Sequence, residues 1–507
     1  MNTARLRADR ARMHKDKPAV VLENTTYTYG ELDREIARYA AVLDAVGVRT
    51  TDRIAIQLPK TIEFVFLESA ILSVGAVTLP LNPDYQPDEI EYFLSDSRSR
   101  FFFTDRERFR RAAHVLRSLP GVRVLLTDDP DPAGSHAMPR EPIHAGTRFE
   151  RTYPAGGDDV ATIIYTSGTT GRSKGAMLTH RNLISNMQAL HETWEWSSDD
   201  ILLHVLPLFH VHGLFVALHG ALNAGATVIM HDRFDPSRTW ETIERGKCTV
   251  LMGVPTMYQR LVTHWEGKDT KPDLRSMRLF ISGSAPLPET LFNRFEEHTG
   301  YRILERYGTS ETGMIASNST DPAGRKAGSV GHALPGVQLR IVSAQGTDAS
   351  PLEVGEVWVR GENVFKGYWG MPDKTSDSFR DGWFRTGDMG YVDREDGNRL
   401  YLVGRANDLI ISGGYNVYPK EIENVLEGHP GVREAAVVGI PDHDFGERVT
   451  AAVVLTESAE VSADDLIRYC RERLAGYKCP KRAVFVDALP RNAMGKLRKD
   501  ILLKRIS

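Results

Sequence analysis

The sequence predicts an α/β protein with a large N-terminal domain and a small, hinged α+β domain behind it. Three observations carry this reading. Short apolar runs alternate with helical patterns, which argues for largely parallel sheets. A break falls near residue 404, and residues 404–507 then form a compact pattern of their own. The chain has 507 residues, several times the roughly 150 of one domain. The expected domains are residues 1–403 and 404–507.

Taken in order, Thr28-Tyr-Gly-Glu31 reads as a capping box. Leu32, Ile36, Tyr39, Ala40 and Leu43 follow at helical spacing. Arg53–Leu58 reads as a strand, Thr61–Leu72 as a helix, Ala76–Leu79 as a strand ended by Pro80, and Val124–Thr127 as a short apolar run. Residues 128–159 are rich in Pro, Gly and Asp and read as a long surface connection. Ala161–Tyr165 is the next strand. Past residue 404, Lys420–Leu426 reads as a helix, and Val432–Ile440 and Arg448–Leu455 as strands. Ser462–Leu474 is a helix with Ser462 as cap and Asp465 three residues on. Ala483–Asp487 is the last strand. No repeat or low-complexity tract interrupts this order.

Composition narrows the class. Apolar residues are 41% and charged residues 26%, as in a folded globular protein. Lys plus Arg number 63 against 67 Asp plus Glu, a net charge of −4, so no basic excess points to nucleic acid. Cys248, Cys470 and Cys479 are too few and too far apart for a disulfide framework, and they fit a reducing, cytoplasmic setting. The N-terminus is Arg-rich, but Asp9 and Asp16 weaken a transit-peptide reading. The apolar tract Leu214–Met230 is broken by His219, Asn223 and two glycines, too polar to span a bilayer.

The strand Ala161–Tyr165 runs into YTSGTTGRSKGA at 165–176. Glycines let the backbone approach a phosphate, hydroxyls and amides donate hydrogen bonds, and Lys174 adds charge. A Walker loop needs Gly before its Lys, and Ser173 stands there instead. The stretch closely resembles the phosphate loop of the adenylate-forming superfamily, which includes acyl-CoA synthetases and luciferases. The resemblance continues in order along the chain: Glu305-Arg-Tyr-Gly-Thr-Ser-Glu311-Thr, Phe384-Arg-Thr-Gly-Asp388, Gly404-Arg405-Ala-Asn-Asp408, and Pro490-Arg-Asn-Ala-Met-Gly-Lys496.

The resemblance implies an ATP-dependent acid–CoA ligase with a luciferase/acyl-CoA synthetase-like fold. A carboxylate would join the α-phosphate of ATP, pyrophosphate would leave, and coenzyme A would take the acyl group as a thioester. Both first reactants are anions, so repulsion must be neutralised and geometry fixed. Mg²⁺ would serve, held by Glu311 and a loop hydroxyl, Thr170. Thr166, Ser167, Gly168, Thr169, Thr170, Gly171 and Lys174 would hold ATP, with Gly308 and Ser310. Tyr307 would stack on adenine, Asp388 would accept the ribose hydroxyls, and Arg405 would add a ribose or phosphate contact. Lys496 would bond carboxylate and phosphate oxygens in the transition state. Asn407 falls at the hinge, where the family usually carries Asp or Lys. Gly413-Gly414 would line the pantetheine channel or form a plain glycine turn.

Three stretches resemble malonyl-CoA synthetases in particular: Leu206-Pro-Leu-Phe-His210-Val-His212-Gly, Gly253-Val-Pro-Thr-Met-Tyr-Gln-Arg260, and Ile281-Ser-Gly-Ser284-Ala-Pro-Leu followed by Glu305-Arg306-Tyr. Arg260, Ser284 and Arg306 would hold the substrate's second carboxylate, a charge too costly to bury unpaired. His210 and His212 would line the acyl pocket. Thr309 replaces a common Met, and Gly313 is expected to leave extra room, so methylmalonate or another acid fits as well. The alternatives are a fatty or other monocarboxylate ligase, a luciferase-like enzyme, and an enzyme that loads a carrier protein. No integral membrane segment is expected.

Overall fold

The computed structural model describes residues 2–128, 138 and 154–506, without 24, 167–172, 414, 458, 493 and 494 or the side chain of 416. The expected phosphate-loop residues Ser167, Gly168, Thr169, Thr170 and Gly171, and Gly414 in the expected channel, lie outside this set.

Period-two burial builds the large domain. Along one sheet Leu202, Val250 and Ile281 enter one core while Leu203, Leu251 and Phe280 enter another. Along a second sheet Ile54, Ile56, Phe101 and Phe103 face the first core, and Ala55 and Phe102 face a third. The shared core also holds helices Tyr29–Ala45, Ile62–Ser73 and His180–Thr193. Helices Pro236–Gly246, Pro255–Glu266 and Glu289–Thr299 cover the outer face of the first sheet, and Pro87–Asp96 and Arg106–Leu116 that of the second. The result is five layers, helix and sheet alternating.

The first sheet has fourteen strands. Strands Pro18–Leu22, Thr227–Met230, Ile201–His204, Val250–Gly253, Leu279–Ser282 and Leu304–Thr309 run parallel. From Leu304–Thr309 outward the pairing turns antiparallel, through Gly313–Ser317, Ser329–Ala333, Arg399–Arg405, Trp383–Asp393 and Gly355–Arg360 to Gln338–Val342. The expected parallel character therefore holds for the helix-covered half alone. The other half is built from hairpins, which need no crossover helix. The seven-stranded second sheet is parallel except where Lys174–Thr179 and Gly367–Tyr368 close it.

The small domain is a five-stranded sheet. Val432–Asp442 and Gly446–Leu455 form its long hairpin, Arg482–Phe485 adds in parallel, and helices Pro419–Glu427 and Ala463–Arg471 pack on it. Both expected capping boxes form, Thr28 with Glu31 and Ser462 with Asp465.

Three segments gain definition from the structure. The Arg-rich N-terminus is a helix, Thr3–Met13, with Ala4, Arg7, Ala8 and Ala11 buried against the large domain. The tract 214–230 is core: a π-helix His212–His219, a short helix Gly220–Ala224 and a strand. Pro80 ends its strand from within, as the last residue of Val77–Pro80. Among the described residues no helix is long and apolar enough to cross a membrane.

Candidate active site

In an α/β sheet, ligands sit beyond the carboxyl ends of the parallel strands. Here those ends are His204, Gly253, Ser282 and Thr309, and the segments that follow them carry His210 and His212, Thr256, Ser284, and Glu311.

Arg306 lies in this group on the strand Leu304–Thr309, with 3% of its surface exposed. Its Nε and Nη2 have no hydrogen-bond partner in the structure. Burial lowers its pKa to about 9, which leaves it charged at neutral pH. The neighbouring Glu305 projects to the opposite face of the strand. There it accepts the Leu287 N–H at 2.9 Å, and burial raises its carboxyl to about 8. It therefore gives Arg306 little compensation at neutral pH.

Ser284 turns out of its strand with φ at +71°, a left-handed conformation costly for a residue with a Cβ. Its Oγ lies 3.1 Å from Nδ1 of His212, whose buried Nε2 has no partner. Burial and then Arg306 push the His212 pKa well down, and burial and then Lys496 push that of His210 to about 3. Both rings are neutral at physiological pH.

Arg260 departs from expectation. It is exposed on the helix Pro255–Glu266, its guanidinium 5.0 Å from the centre of the Phe234 ring. The buried cation at this site is Arg306. Gly313 is also corrected. It has φ +60°, and a Cβ there would stand 2.5 Å from Oδ1 of Asn186. The room is already taken by Asn186, whose amide holds both the N–H and C=O of Met314, at 3.0 and 2.8 Å. Thr309 spends its hydroxyl locally, 3.1 Å from that of Thr312. Gly308 and Ser310 beside it are half-buried.

A second group forms around Asp388. Tyr307 donates its hydroxyl to one carboxylate oxygen at 2.6 Å, and Arg405 Nε approaches the other at 3.2 Å. Asp388 in turn raises the Arg405 pKa. Tyr307 is 7% exposed and its ring belongs to a core cluster. Its hydroxyl is engaged by Asp388, and little of its ring is exposed toward the adenine on which it is expected to stack.

Glu311 is half-buried and accepts the Tyr368 hydroxyl at 3.0 Å. The Tyr368 ring lies 5.0 Å from Lys174 Nζ, so one tyrosine joins the end of the phosphate loop to the expected metal carboxylate. At the loop's other end, the Thr166 hydroxyl meets the Lys174 carbonyl at 3.5 Å. Tyr368 was not anticipated; its only sequence signal is its place in Lys366-Gly-Tyr-Trp, on a strand that pairs with Ala176 and Met177.

Lys496 comes from the small domain. Its loop is cinched by Arg491 Nη1 on the Gly495 carbonyl at 2.8 Å and by the Lys496 N–H on Asn492 Oδ1 at 3.0 Å. Gly495 is buried, and its Cβ position lies 3.1 Å from Thr256 Oγ1 of the large domain. This contact sets Lys496 at the cleft. The residue keeps solvent access along the open side, while burial first and Arg405 second lower its pKa; Asp388 and Glu311 oppose them. The other small-domain residues lie apart. Asn407 is exposed in the 3₁₀ turn Ala406–Asp408, and Gly413 is exposed with φ +60° between two short strands.

The cleft thus holds cations from two domains around two carboxylates, beside a buried guanidinium with unused nitrogens. Residues 8–369 match the AMP-binding enzyme family and residues 421–496 its C-terminal domain. The chain belongs to the AMP-binding enzyme family. Members similar to it include a feruloyl-CoA synthase of Amycolatopsis sp, 38% identical over 98% of this chain and 97% of that one. The mitochondrial malonate–CoA ligase ACSF3 of Mus musculus is 37% identical over 98% and 90%. Among solved structures, ATP-bound MatB from Rhodopseudomonas palustris is 41% identical over 100% of this chain and 99% of that one, with a TM-score of 0.89. This AMP-binding enzyme is an ATP-dependent acid–CoA ligase.

Proposed function

We propose that the acid is a short dicarboxylate, malonate or methylmalonate. The observation that carries this reading is Arg306: a buried cation with two unpartnered nitrogens at the carboxyl ends of the strands. Leaving a charge buried without a counter-ion costs several kcal/mol, so the site calls for an anionic group on the substrate. A guanidinium fork suits a carboxylate. Ser284 and neutral His212 add donors without adding charge, so one buried cation meets one idle carboxylate. A monocarboxylate such as ferulate has no second carboxylate to give Arg306.

In the first step an oxygen of the reacting carboxylate attacks the α-phosphorus of ATP, and the bond to pyrophosphate breaks. Lys496 is positioned to stabilise charge on both reactants, which is where electrostatic catalysis gains most. Asp388, held by Tyr307 and Arg405, is a ready acceptor for a ribose diol. Glu311, steadied by the Tyr368 hydroxyl, would hold Mg²⁺, a hard cation that takes carboxylate and phosphate oxygens. When bound, the ion neutralises phosphate charge. In the second step the sulfur of coenzyme A attacks the acyl carbon and AMP leaves. For that step the small domain turns about the segment around Asn407 and carries Lys496 away, with Gly413 lining the thiol's path.

The test is pyrophosphate release with ATP, Mg²⁺ and CoA across malonate, methylmalonate, acetate, octanoate and benzoate. Malonate or methylmalonate is expected to show the highest kcat/KM. A higher value for octanoate or benzoate overturns the proposal.

A further inference from the structure

We propose that Gly283 sets the acid preference. Its bare α-carbon is the bed on which the Arg306 guanidinium lies, so any side chain there converts a site for dianionic acids into one for acids with uncharged tails. The inference rests on Arg306 as anchor of the idle carboxylate.

Strand register brings the two residues together. Ile281 pairs with Leu304 and Ser282 with Glu305 on the parallel neighbour, so the next pair is Gly283 beside Arg306. Alternation puts Ile281, Gly283, Leu304 and Arg306 on one face, with Ser282 and Glu305 on the other. The arginine folds across its neighbour's backbone. A Cβ on Gly283 would stand 2.3 Å from Cζ of Arg306, 2.4 Å from Nη1 and 2.6 Å from Nε. Ordinary contact is about 3.5–4.0 Å, so a single methyl overlaps three atoms of the planar group.

The backbone has little room to yield. The Gly283 N–H donates to the Gly253 carbonyl, and Tyr258, fully buried, holds the Ile281 carbonyl at 2.8 Å. Ser284 leaves the strand at once in its left-handed turn. The arginine is the part that must move, and its displacement takes Nε and Nη2 out of the position in which they face a ligand. Gly283 touches no reacting atom in this account; it is a positioning residue that acts through Arg306.

The experiment is a double-mutant cycle of Gly283→Ala and Arg306→Ala, with kcat/KM measured for malonate and for butyrate. Gly283→Ala is expected to lower malonate turnover on the order of 100-fold, as for removal of one partner of a buried ion pair, and to lower the malonate-to-butyrate ratio with it. A merely destabilised enzyme would lose both acids together. In the Arg306→Ala background the same methyl has vacant space, so it is expected to change malonate turnover by no more than about twofold. Additive penalties, or an unchanged acid ratio in Gly283→Ala, overturn the proposal. If Gly283→Ala does not fold, folding of the double variant supports the collision with Arg306, and its failure to fold overturns it. An unaltered protein with no preference for malonate over butyrate fails earlier: it removes the reading of Arg306, and that result is obtained without any variant.

Discussion

Arg306 and Lys496 are the two cations on which the chemistry turns, and they are held differently. Arg306 is buried within one domain, with Nε and Nη2 unpartnered. Arg306→Ala is expected to lower kcat/KM for malonate far more than for butyrate, measured by pyrophosphate release; equal losses would count against a dicarboxylate. Lys496 belongs to a loop that docks from another domain. Lys496→Ala is expected to stop acyl-adenylate formation, read by pyrophosphate exchange, while ATP binding by calorimetry stays near its original value. Burial and Arg405 lower the Lys496 pKa, so the ammonium deprotonates below the ordinary lysine value of about 10.4. Adenylation should therefore fall on the alkaline side earlier than a free lysine predicts. Lys496→Arg should move that limb to higher pH.

At the scale of elements, the hairpin from Leu304 to Ser317 carries the anchor, and it is pinned from behind. Asn186 on the helix His180–Thr193 satisfies both backbone groups of Met314. Asn186→Ala leaves a buried N–H and C=O unpaired, at about 1–3 kcal/mol each. A clear drop in the thermal midpoint is expected, and no drop would mean that water replaces the amide. Local signals were legible in the sequence because their physics is local: a Thr or Ser with an acid three residues on made both capping boxes. The ordered motifs carried the family resemblance, which the AMP-binding enzyme match bears out. What depends on distant strands was not legible. Arg260 and Arg306 are alike as letters, yet one is exposed over the Phe234 ring and the other is buried. The antiparallel half of the large sheet likewise arises from pairings that no short window contains.

Five histidines with strongly lowered pKa values are spread through the described residues of the large domain. His180 and His231 are held at about 4 and His210 at about 3, while His204 and His212 are pushed well down, in each case chiefly by burial. The unfolded chain, with histidines near 6.5, binds more protons than the folded one as pH falls through that value. Stability from these groups is complete above about pH 6.5 and declines below it. Glu305, raised to about 8, and Glu427, also raised by burial, act in the opposite sense but are two carboxyls against five rings. The thermal midpoint is expected to drop between about pH 6.5 and 5, where the five histidines outnumber the raised carboxyls. A midpoint that rises on acidification would contradict it.

Trp194 donates its indole N–H to Ser317 at 2.8 Å, and Ser317 is the cross-strand partner of Arg306. The ring is fully enclosed, so its emission responds to that bond and to the hairpin behind it. Occupation of the guanidinium is therefore expected to alter Trp194 emission before any turnover, read as the difference between the protein and a Trp194→Phe variant, since six other tryptophans also emit.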